Sequence, residues 1–177
     1  ESEVVADSAR LEELLALWRG LDSVDVLATP DLNAVCVAWQ EGGNASHAAV
    51  LRADTLEGYN EGLKALFAGD IPKNAHDVKT LLSRLLNEGI AGEGFVFDTA
   101  LAAYLPTDGS YELEKLGMTY FNQEFPKAKD TYLAADAFTP LADQGAVLGA
   151  LMGHTALIGA LKGVLAPRLE ELGMHDL

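Results

Sequence analysis

The chain has 177 residues, 49% of them hydrophobic, enough for one buried core without metals or disulfides. Its 27 acidic residues outnumber 12 basic ones for a formal charge of −15, and the basic residues are scattered singly. That balance repels polyanions and disfavours a duplex-gripping surface, so direct nucleic-acid binding is expected to be weak or absent.

The single cysteine, Cys36, lies in the apolar run 34–39 and reads as a buried free thiol. With no intrachain disulfide and no basic-then-apolar leader at the start, a monomer in a reducing cytoplasm is expected. The sequon-like Asn44-Ala45-Ser46 is read as a chance match, and the charge-free stretch 145–161 as a buried helix rather than a membrane span.

In chain order, apolar residues at 11, 14, 15 and 18 mark a surface helix over 9–19. The runs 24–28, 34–39 and 45–51, separated by turn residues, predict an antiparallel three-strand meander. Residues 55–67 follow as a helix capped by Asp54 or Thr55, then a strand at 70–74, a helix at 77–87 and a strand at 94–97. The alternation predicts two parallel strands joined by crossover helices. Helices are expected at 99–104, at 112–120 and at 141–172, the last interrupted near Pro167, with an irregular connection over 121–140. Gly145, Gly149 and Gly153 recur every fourth residue, which predicts close helix packing. The expected architecture is a single α/β domain over 1–177 with a mixed five-stranded sheet, three strands antiparallel and then two parallel, flanked by helices.

Asn74-Ala75-His76-Asp77, a helix, then Gly89-Ile90, Phe95-Val96-Phe97-Asp98-Thr99 and Ala102-Ala103-Tyr104-Leu105 resemble the middle of the 3′→5′ proofreading exonuclease domain of family A DNA polymerases. The helix at Glu112–Leu116 fits the family's next one, and 167–177 resembles the hinge entering the polymerase domain. The resemblance is sharp over 71–105 and looser over 20–177. It implies a ribonuclease H-like fold and a fragment preceding a polymerase domain, which would be its partner in a DNA replication and repair enzyme using Mg²⁺.

Two dications about 4 Å apart repel by roughly 16 kcal/mol at an effective dielectric near 20, so several carboxylates must converge on them. The family supplies an Asp-x-Glu on the first strand, an Asp after the fourth, and an Asp four residues beyond a Tyr on the late helix. Aligned on the resemblance, Ala28 and Pro30 replace the first pair. Asp77 remains in a motif one residue short, where it equally reads as a helix cap. Ala150 and His154 replace the Tyr and the late Asp. No acidic residue lies between Asp143 and Glu170, so shifting the register restores nothing. Asp98 is read as another cap. Asp25 and Asp31 are alternative ligands, read instead as solvated edge or turn carboxylates.

The resemblance therefore implies a catalytically degenerate exonuclease-like domain with a structural, scaffolding role, vestigial positions 28, 30, 77, 150 and 154, and no metal or cofactor of its own. Three alternatives stand beside it. One is an active metal-dependent exonuclease with displaced ligands, and another a freestanding acidic interaction module. The third, a His-Asp metal phosphohydrolase, rests on His76-Asp77 and lacks usable spacing at His47, His154 and His175.

Overall fold

The computed structural model describes residues 1–41, 45–104, 112–139 and 142–171. The turn at 42–44 with Asn44, Leu105, Pro140, the helix limits at 141 and 172, and His175 lie outside the described residues. Strands β1 (Ser2–Val4), β2 (Val24–Ala28), β3 (Ala34–Glu41), β4 (Ala45–Arg52), β5 (Lys73–Ala75) and β6 (Phe95–Asp98) form one sheet in the order β1-β4-β3-β2-β5-β6. β2, β3 and β4 pair antiparallel, and β5 and β6 extend β2 in parallel.

Among the described residues the sheet has six strands, not the five expected. Three residues carry no alternation, so nothing in the sequence marks β1. It is held by parallel pairing to Ala48–Val50 and by Glu1 N donating to the Ser46 carbonyl at 2.8 Å.

Helices α1 (Ser8–Arg19), α2 (Tyr59–Leu66) and α3 (Val78–Asn87) cover one face of the sheet. Asp7 caps α1, accepting from Arg10 N at 2.9 Å, and Leu11, Leu14, Leu15 and Trp18 are buried as the spacing predicts. α2 starts four residues later than expected. Asp54 is drawn into an ion pair with Arg52 at 2.7 Å, and Gly58, at φ +78°, turns the chain into the helix without a side-chain cap.

α4 (Thr99–Tyr104), α5 (Leu113–Phe121) and the long α6 (Gln144–Glu171) build the other face. α6 runs through Pro167 without the predicted interruption. By length and composition it could span a bilayer, yet Ala150, Leu151, His154, Ile158, Leu161 and Leu165 along it are buried in the fold. The glycine spacing does not mark close packing: a methyl group on Gly149 or Gly153 would meet nothing within 4 Å. Close approach falls instead at Gly159, where a methyl would overlap the Asp25 carboxylate.

Candidate functional site

Alternation along β2 sends Val24, Val26 and Ala28 towards the α1–α3 layer, and Leu27 towards α6. Ala28 therefore ends the strand on the face away from α6. The β2 side chains that look onto α6 are Asp25 and Leu27, so a one-residue shift of register puts Leu27, not a carboxylate, opposite the late helix. Beyond the strand Pro30 is exposed. Asp31 closes the turn by accepting from Thr29 Oγ1 at 3.1 Å, Asn33 N at 3.2 Å and Asn33 Nδ2 at 2.7 Å.

Asp77 begins α3 at φ +67°, and its carboxylate accepts from Thr80 N at 3.3 Å and Thr80 Oγ1 at 2.7 Å. Asp98 caps two helices at once. Its Oδ1 accepts from Asp77 N (2.9 Å), Ala100 N (3.0 Å) and Leu101 N (3.3 Å), and its Oδ2 from Val78 N (2.9 Å). His76 Nδ1 lies 2.9 Å from Thr99 Oγ1, which ties the end of β5 to the start of α4.

On α6, Ala150 packs with Cys36, Val50 and Tyr132. His154 is fully buried, with Nδ1 2.6 Å from the Tyr132 hydroxyl and Nε2 2.7 Å from the Pro126 carbonyl. A carbonyl only accepts, so Nε2 carries the proton and Nδ1 accepts from the phenol. Burial holds this imidazole below its ordinary pKa and pushes the Tyr132 phenol above its own. The 121–140 connection, read from sequence only as irregular, thus supplies Tyr132, which fills the space between β2 and α6. No sequence spacing singled it out.

Leu27, Ala28, Asp77, Arg84, Lys129 and Tyr132 border a cavity of about 370 Å³. Arg84 and Lys129 make no ion pair among the described residues. Nor, among the described residues, do three His, Cys, Asp or Glu side chains converge where they could hold a metal ion. Hard dications need several oxygen ligands; Asp77, Glu112 and Glu114 border this cleft but do not converge as such a set, and His154, both of whose nitrogens are engaged, does not line it.

Asp25 is not the solvated edge carboxylate expected. It is half-buried, accepts from Asn74 Nδ2 at 3.0 Å, and has its pKa pushed up to about 6 by burial. It lines a separate cavity.

No protein-family model matches the chain. Over 96 residues it is 35% identical to DNA polymerase I of Mycobacterium leprae, a match covering 47% of this chain and 10% of that protein. The chain thus corresponds to about a tenth of the curated relative's length. Among solved structures it is similar to the POL domain of Pol1 from M. smegmatis in complex with DNA primer-template and dNTP. That likeness has a TM-score of 0.74 and 20% identity, over 99% of this chain and 29% of that one. Brucella melitensis NrnC gives a TM-score of 0.68 at 19% identity over 98% and 83% of the two chains. The catalytic core of RRP6 from Trypanosoma brucei, mutant C496S, gives 0.73 at 13% over 99% and 49%. The chain has the ribonuclease H-like exonuclease fold and is similar to a stretch of DNA polymerase I.

Proposed function

We propose that the chain is a catalytically degenerate 3′→5′ exonuclease-like domain of a cytoplasmic DNA polymerase I. It binds no metal of its own and serves as a scaffold docked to a polymerase domain of the same chain, in DNA replication and repair. The observation that carries this reading is the clamp at His154. The position the resemblance assigns to a metal ligand is locked between Tyr132 and Pro126, and β2 presents Leu27 towards α6. The partial likeness to a polymerase supports the linked-domain role.

The test is degradation of a 3′-labelled single strand with Mg²⁺ or Mn²⁺, comparing the chain with Asp77→Ala. Equal background signal from both is expected. Degradation abolished by the substitution overturns the reading.

A further inference from the structure

A second cavity, of about 780 Å³, opens on the α6 side of the sheet and shares no lining residue with the first. Asp25 and Asn74 stand side by side in it through the β2–β5 pairing. Asn74 Nδ2 donates to Asp25 Oδ1 and to Ser23 Oγ, both at 3.0 Å. Asn74 Oδ1, on a side chain only 2% exposed, has no donor. Among the described residues Asp25 Oδ2 has none either. The bare Cα of Gly159 leaves room for the carboxylate to lie against α6.

Phe125 forms an apolar wall, Phe121 stands exposed on the lining, and Asp22 adds a second acid. The Trp39 ring lies on the opposite face of the sheet, packed edge-on against Trp18 and stacked with His47, each at 5.5 Å. Lys162 also lines the cavity, but it makes no ion pair with Asp25 within 4.0 Å. Its ammonium lies instead 5.8 Å from the centre of the Phe97 ring.

Two acceptors without donors, one of them anionic, are costly to leave unmatched, and an aromatic wall favours a cation over an anion. We propose that this cavity is a binding site for a small organic cation with a planar N–H donor head, an amidinium or guanidinium. Its head meets Asp25 and Asn74 and its apolar body rests against Phe125. The site is independent of the exonuclease-like cleft and does not depend on whether that cleft is degenerate.

Benzamidine titrated calorimetrically into the whole chain, at roughly 150 mM salt to screen general attraction to an acidic surface, is the test. Neutral benzamide is the control. Saturable one-to-one binding of benzamidine in the millimolar range is expected, with benzamide silent. Asp25→Asn, which keeps the shape and removes the charge, weakens binding about tenfold or more. Gly153→Leu fills the cavity from a helix position where an added carbon meets nothing, and weakens binding with the fold intact. Benzamidine binding left unchanged in both variants, or no saturable binding up to about 20 mM, overturns the proposal.

Discussion

The Tyr132 phenol donates to His154 Nδ1 at 2.6 Å while Nε2 of the same ring donates to the Pro126 carbonyl at 2.7 Å. One buried imidazole therefore fastens α6 to the 121–140 connection, and both of its nitrogens are used. Tyr132→Phe keeps the ring and leaves Nδ1 buried without a donor, which costs about 1–3 kcal/mol. Urea unfolding is expected to show a lower midpoint at an unchanged slope; an unchanged midpoint would show that the clamp contributes nothing.

The same clamp governs the response to metal. A ligand present at 100 times its dissociation constant raises folding stability by about 2.7 kcal/mol. Addition of about 5 mM Mg²⁺ or Mn²⁺ is expected to leave the melting temperature where an ionic-strength-matched control leaves it. His154→Asp does not create a site, because the new carboxylate would face the Pro126 carbonyl and lose the Tyr132–imidazole bond. That variant is expected to be destabilised and still insensitive to metal. A melting rise of several degrees that vanishes in Asp77→Ala contradicts both expectations.

The helix and strand order was legible because the chain alternates period with few interruptions: Leu11, Leu14, Leu15 and Trp18 fall on one helical face, and β2 to β4 are bounded by turn residues. Failures came where tertiary partners decide. Asp54 looks like a cap until Arg52 claims it, and β1 exists only because β4 offers an edge. The deficit of carboxylates on α6 could be read from the chain, since no register supplies one. The strand face could not be read as safely: a one-residue offset exchanges Ala28 for Leu27 opposite α6. Tyr132 was invisible because its partner is 22 residues away across an irregular segment.

Asp98 and Asp77 differ in how much they hold together. Asp98 accepts four backbone N–H groups at the starts of α3 and α4, whereas Asp77 caps α3 alone. A lost cap costs about 1 kcal/mol. Asp77→Ala is therefore expected to cost about that much, and Asp98→Ala about twice as much or more, because two helix starts lose their acceptor together. Chemical denaturation of the two variants measures the ratio. Equal losses would mean that one of the two helices does not need Asp98.

Asp25 adds a pH dependence of definite sign. Burial pushes its pKa from 3.8 up to about 6, against the opposing effects of the Asn74 hydrogen bond and the Lys162 charge. Between those values the folded chain holds a proton that the unfolded chain has released, so this group lowers stability as pH rises from about 4 to 6, and the penalty then persists. The full effect is on the order of 3 kcal/mol. Asn at position 25 can still accept from Asn74 and has no charge to desolvate. Asp25→Asn is accordingly expected to raise the urea midpoint at pH about 7.5 and to leave it nearly unchanged at pH about 4, where the native carboxyl is already protonated. Gly159→Ala sharpens the assignment, since its methyl would press on the same carboxylate. It should destabilise the native chain by about 1–3 kcal/mol, and by less when Asp25 is replaced by Ala, with a coupling of at least about 0.5 kcal/mol in the double-mutant cycle. Additive losses would separate the two residues and remove the steric basis for placing the carboxylate against α6.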